Sequence, residues 1–389
     1  MSKPVQLQSA AKILLLAFAL ILALPVLLSP WADDEARATW EKRELASPAR
    51  LMSRFGRPDF FTELQAVVDD HLYGALALNR AYRRLQYYGF SDAPVPNVAL
   101  GEGELVFLTS HTADRPYETL QKLCNMPEQQ VVTLHRALLK LHDQLVARNV
   151  KLTLAVMPSK LALYVDRLPP SVPSELRARC AAAVPAGTMP LRLESLSGPY
   201  ELFYPLQALH ELRDSPQFYP PENFHANSRA NHEFARRFLE LRGFPVKPAF
   251  DAGARLESIP GDLLLMGFKR EIKTWRYDYD AYGVQPQRRA PDWLRPVYPG
   301  ARGFSRYHSS QPLDTGRALI LSDSFGAYLA PHLAPAYAAL TSINIKDLKS
   351  SEREAFLDTA LRETEAGELI ILVHDAGLPN PALRRFLGY

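Results

Sequence analysis

The sequence predicts an α/β protein, a parallel sheet flanked by helices and preceded by one N-terminal transmembrane helix. Three short apolar runs, Leu152–Met157, Ala318–Leu321 and Leu369–Val373, read as strands buried on both faces. Helical periodicity alternates with them, in Val131–Arg148, Phe234–Leu241 and Glu354–Arg362, and that alternation is the pattern of a parallel sheet covered on both sides. The third observation is Ile13–Leu28, which runs without a charge and is followed by Pro30 and Trp31.

In chain order, Lys3 and Lys12 precede this first run, and Asp33, Asp34 and Glu35 follow it. About 20 apolar residues span a bilayer, and positive charge stays on the cytoplasmic side. The expectation is a cytoplasmic tail over 1–9, an anchor over 10–31 in the inner membrane, and the rest of the chain in the periplasm. A cleaved signal peptide gives the same compartment. Residues 32–95 form a helical juxtamembrane region, in which Phe60, Phe61, Leu64, Val67, Val68, Leu72 and Leu76 recur at helical spacing. The α/β domain takes 96–389. It opens with a hairpin, Val98–Leu100 and Leu105–Leu108, around Gly101-Glu102-Gly103. Gly243 caps the helix that closes at Leu241. Ser258–Gln311, rich in Arg, Tyr and Pro, reads as irregular loops.

The 389 residues suit one large domain with smaller appended pieces, and 47% hydrophobic residues suffice for a packed core. A net charge of +3, without a basic stripe, argues against nucleic acid. Cys124 and Cys180 have no neighbour at metal-ligand spacing, so no metal or other cofactor is expected. They are either one disulfide or two buried thiols.

Ligands of open parallel sheets bind beyond the carboxyl ends of the strands. Three predicted strands end in polar residues: Ser159-Lys160, Ser322-Asp323-Ser324 and His374-Asp375. Ser324 lies between a strand and a helix, with Gly326 just after it. Such a turn exposes Oγ and aims backbone N–H groups at a developing oxyanion, or else Ser324 is an N-cap. A serine nucleophile needs a base. His225, ahead of a helix, and His374, at a strand end, are the candidates, and His232 reads as structural. Lys160, Gly326 and Asp375 are the candidate substrate-binding positions.

Five blocks follow in order: Asp69-Asp70-His71-Leu72 with Asn79-Arg80, Val98–Leu108, Leu154–Lys160 with Tyr164 and Asp166–Pro169, Leu202–Leu206, and Leu319–Gly326. Together they resemble the SGNH-hydrolase-like domain of the periplasmic alginate O-acetyltransferases (the AlgX/AlgJ group) and the related DHHW family. The resemblance implies Ser324 as nucleophile and His225 as base, the latter in a block similar to the family's Asp-x-His-Trp. There the family Asp falls on Asn223 and its Trp on Ala226, and Ser322 stands where the family usually has Gly. Asn223 can hold an imidazole but cannot stabilise an imidazolium. Another carboxylate, Glu222 or Asp375, serves His225, or the activity is weak or lost. The expected function is O-acyl, specifically acetyl, transfer or ester hydrolysis on an exported or cell-surface polysaccharide. The resemblance further implies a multi-pass membrane acyltransferase as partner. The alternative is an inactive carbohydrate-binding or scaffold protein of an exopolysaccharide assembly complex.

Overall fold

The computed structural model describes residues 4–41, 44–110, 115–226, 229–244, 246, 248–251, 253–263, 268, 271–299, 302–378 and 380–389. They fall into two compact units. The first holds the chain up to Pro94 together with Phe268; the second takes Val95 to the C-terminus otherwise.

The first unit is helical, and its helices are Pro4–Leu27, Asp34–Glu41, Pro48–Ser53, Phe60–His71 and Ala75–Arg84. The breaks follow the sequence. Pro48 sits at a helix start, and Gly56 and Gly74 take positive φ of 80° and 77°, conformations that other residues enter only with strain. Short polar ties hold the pieces: His71 Nδ1 lies 2.7 Å from Asp34 and its Nε2 2.7 Å from the Ala46 carbonyl, and Asp70 accepts the Ala46 N–H at 2.6 Å.

Among the described residues no helix is long and apolar enough to cross a membrane. Lys3 of the expected cytoplasmic tail lies outside the described residues, as do the side chains of residues 4–11. Within Pro4–Leu27, Ile13, Leu14, Leu15, Leu16, Phe18, Leu20, Leu24, Val26 and Leu27 are exposed.

The second unit contains strands β1 (Val98–Leu100), β2 (Val106–Leu108), β3 (Lys151–Met157), β4 (Glu201–Phe203), β5 (Arg255–Pro260), β6 (Glu271–Arg276), β7 (Val284–Gln287), β8 (Arg302–Ser309), β9 (Arg317–Ser322), β10 (Ala339–Asn344) and β11 (Glu368–His374). β1 and β2 form the expected antiparallel hairpin, with Val98 opposite Leu108. The main sheet runs β4-β3-β11-β9-β10-β8-β7. Its first five strands are parallel; β8 and β7 add an antiparallel edge. The sheet is therefore mostly parallel rather than wholly so.

Side chains of the three central strands alternate between two cores, as the period of a strand requires. Ala155, Met157, Ile320, Ile370 and Leu372 enter one, against Phe234 and Phe238 of helix Arg229–Leu241 and Leu329 of helix Gly326–Leu333. Leu152, Leu154, Val156, Leu319, Leu321, Leu369, Ile371 and Val373 enter the other. There they meet Leu134, Leu138 and Leu141 of helix Glu128–Val146 and Phe356 and Ala360 of helix Arg353–Thr364.

The stretch expected to be irregular, Ser258–Gln311, instead holds the end of β5 and most or all of β6, β7 and β8. The edge strand β7 and the hairpin strand β6 need one buried face at most, so they lack the apolar runs that mark central strands, and β8, between β10 and β7, interleaves buried residues with polar ones. In β6 only Ile272 and Thr274 are buried. Pro286 is tolerated in β7 because that strand lies at the sheet edge. Cys124 and Cys180 are bonded to each other, with Cα atoms 4.8 Å apart.

Candidate functional site

The register of the central strands sets their carboxyl ends side by side. Met157 of β3 pairs with His374 of β11, and Leu372 of β11 with Ser322 of β9. Asp323 fixes the turn that follows β9. Its Oδ1 accepts the Phe325 N–H at 2.9 Å, and its Oδ2 accepts the His374 N–H at 3.3 Å, tying two strand ends together. Its backbone carbonyl accepts the Gly326 N–H. A Cβ at Gly326 would lie 1.9 Å from Ser322 Oγ, so only glycine fits where the helix starts beside the strand. Burial pushes the Asp323 pKa up to about 6.

This turn leaves Ser324 exposed. Ser324 Oγ lies 2.7 Å from His225 Nε2, and His225 Nδ1 lies 2.6 Å from Asp262 Oδ2. The carboxylate also accepts the N–H groups of Phe224 and His225, each at 2.8 Å. A carboxylate only accepts, so the neutral ring carries its proton on Nδ1. That leaves the Nε2 lone pair for the Ser324 hydroxyl. The ring is held between Tyr328, stacked at 4.6 Å, and Phe325 at 4.8 Å. The Ser324 backbone N–H takes no acceptor among the described residues.

Ser324 and His225 thus meet as the sequence predicts, but the carboxylate is neither of those expected. Asp375 is buried and bonded to the Ser159 N–H and the Tyr204 hydroxyl, at 3.1 and 2.9 Å. Burial raises its pKa. Glu222 is not the carboxylate on Nδ1 either. Asp262, in the turn after β5, fills that place. No spacing marks it, because it lies 37 residues beyond His225 in the stretch read as loops.

Asn223 does not touch the ring. Its Oδ1 accepts the Asp262 N–H at 2.7 Å and its Nδ2 donates to the His225 carbonyl at 3.2 Å, so it positions the carboxylate that takes its expected place. Lys160, expected as a substrate-binding position, is 3% exposed, and its ammonium binds backbone carbonyls. Burial pushes its pKa down to about 7, against the pull of Asp262 and Glu222. Gly326 and Asp375, also buried, shape the site rather than line it. His374 packs on Phe325 and does not replace His225 as partner of Ser324.

Among the described residues no cluster of three or more His, Cys, Asp or Glu is placed to hold a metal. A cavity of about 630 Å³ lies at the opposite ends of the strands, but the charges of Lys151, Glu201, Arg242 and Glu368 that line it are paired with one another.

A mostly parallel sheet with a hydroxyl, an imidazole and a carboxylate in sequential contact at its carboxyl rim defines a class: α/β proteins with a Ser-His-Asp arrangement. No protein-family model matches the chain, and no curated protein matches it either. Among solved structures it is similar to Bacillus cereus PatB1 with a sulfonyl adduct, at 14% identity and TM-score 0.50, over 67% of this chain and 93% of that one. It is also similar to a DHHW family protein from Eubacterium siraeum, at 12% identity and TM-score 0.48, over 66% and 88%. A third is the O-acetyltransferase domain of Pseudomonas putida AlgJ, at 11% identity and TM-score 0.42, over 76% and 100%. At these identities the likeness is one of fold.

Proposed function

We propose that the protein is a serine-dependent O-acyltransferase or esterase acting on an exported or cell-surface polysaccharide, with acetyl as the acyl group. The observation that carries this reading is the chain of contacts from Ser324 Oγ through His225 to Asp262, at 2.7 and 2.6 Å. In the first half-reaction His225 Nε2 takes the Ser324 proton as Oγ attacks the acyl carbonyl. The imidazolium, paired with Asp262, then protonates the leaving alkoxide, and the acyl group stays on Ser324. In the second, a sugar hydroxyl or water gives its proton to His225 and attacks the acyl carbonyl; the ester bond to Ser324 breaks, and His225 returns the proton to Ser324 Oγ. The backbone N–H of Ser324 faces the oxyanion of both steps. Nothing in this sequence requires a cofactor. The scaffold alternative rests on a missing carboxylate, and Asp262 supplies one.

The acetyl and polysaccharide assignments follow from the resemblance of the sequence blocks to alginate O-acetyltransferases. So does a multi-pass membrane acyltransferase that delivers the acetyl group. The exposed apolar residues of helix Pro4–Leu27, with Lys12 before them and an acidic cluster after, support a tether to the inner membrane with the α/β domain in the periplasm. Protease added to spheroplasts should then degrade the chain beyond Trp31; protection would reverse the orientation. For the chemistry, a fluorophosphonate should label the wild type stoichiometrically and leave Ser324→Ala untouched. An unlabelled wild type that still binds glycan returns the protein to the scaffold class.

A further inference from the structure

Lys160 opens the short helix Lys160–Leu163, and its ammonium is enclosed by backbone carbonyls: Pro221 at 2.7 Å, Pro220 at 2.8 Å, Val106 at 3.2 Å, and Asn223. The Tyr219 ring lies 5.0 Å from Nζ. An ammonium has three N–H groups, so four acceptors use all of them. Three of the four belong to one turn, residues 220–223. Within the turn the Asn223 N–H donates to the Pro220 carbonyl at 3.2 Å, and Lys160 adds a charged donor to that carbonyl and to those of Pro221 and Asn223. Val106 ties the β2 backbone to the same point, its N–H donating to the Pro221 carbonyl at 2.9 Å.

The turn leads directly into the residues that hold the carboxylate. The Asn223 side chain binds the Asp262 N–H, and the Phe224 and His225 N–H groups bind its oxygens. Lys160 is anchored at the end of β3, one strand of the same rim that presents Ser324. We propose that Lys160 is a positioning residue of the site: its ammonium gathers the carbonyls of Pro220, Pro221 and Asn223 and so sets where the His225–Asp262 pair meets Ser324. This rests on the acyl-transfer reading above. A displacement of about 1 Å between reacting groups costs on the order of 10²-fold in rate. A lysine that serves only the core would lower stability and leave that rate alone.

The test compares Lys160→Met and Lys160→Arg in the full chain. One readout is the rate of fluorophosphonate labelling of Ser324. The other is the low-field proton resonance of His225 Nδ1–H bonded to Asp262, assigned by its loss in Asp262→Asn. In folded Lys160→Met, labelling should slow about 100-fold and the resonance should shift or vanish; Lys160→Arg should recover a substantial part of both. Folded Lys160→Met with labelling rate and resonance unchanged overturns the proposal. So does a loss of folding by Lys160→Met and Lys160→Gln alike, since Lys160 would then serve the whole fold. If the wild type shows the resonance but is not labelled, the acyl-transfer reading fails, and the resonance alone still reports on Lys160.

Discussion

Asp262 lies on His225 Nδ1, where it accepts the ring N–H and would stabilise an imidazolium, while Asn223, at the position of the aspartate in the family block this sequence resembles, binds the Asp262 backbone N–H instead. Asp262→Asn should lower turnover by about 10³–10⁴-fold, the scale seen when a serine triad loses its acid, and Asn223→Asp should not restore it because Asn223 does not face the ring. Both are read from acetyl-ester hydrolysis. Asp323 makes a separate prediction. Its pKa rises on folding from 3.8 to about 6, because burial disfavours the carboxylate. Between those values the folded protein holds a proton the unfolded chain has released, so this residue's contribution to stability falls as pH rises from about 4 to 6. Urea unfolding of wild type and Asp323→Asn across that range should show the difference changing by about 2 kcal/mol; a constant difference would contradict the buried, protonatable carboxyl.

At the scale of elements, the disulfide joins helix Glu118–Cys124 to helix Ser174–Ala183 across 56 residues. Closing such a loop removes entropy from the unfolded chain, worth about 4 kcal/mol in the chain-entropy account. The double variant Cys124→Ser, Cys180→Ser should lose roughly that in oxidising buffer, measured by urea unfolding, and dithiothreitol should then leave its midpoint unchanged. Central strands announce themselves by uninterrupted apolar runs, so β3, β9 and β11 are legible within one residue at each end. β6, β7 and β8 are not, because their polar or half-buried sequences gain a sheet partner only once the chain has folded back.

Across the whole domain, Arg242 marks the end of the sheet opposite Ser324. It bonds Glu368 of β11, Thr153 of β3, Glu201 of β4 and the Tyr337 hydroxyl, with its side chain 9% exposed. Burial alone would raise the Glu368 pKa, but the Arg242 pairing overrides it and holds the carboxyl below its ordinary range. Arg242→Met would leave Glu368 buried without its charge partner, at about 3–5 kcal/mol. Because β3 alone separates the two ends by about 23 Å at 3.3 Å per residue, the Ser324 labelling rate of the folded variant should stay at the wild-type value. The sequence by itself determined the three central strands, the hairpin and the strand ends that carry Ser324, Lys160 and Asp375, since period and local turn chemistry are properties of adjacent residues; the choice of His225 over His374 as the partner of Ser324 came from the family resemblance. Only the tertiary structure decided that Asp262 is the carboxylate, that Lys160 faces inward to carbonyls, and that the two cysteines are bonded. Each of those depends on which distant backbone comes within hydrogen-bond or bonding reach, and no local pattern records that distance.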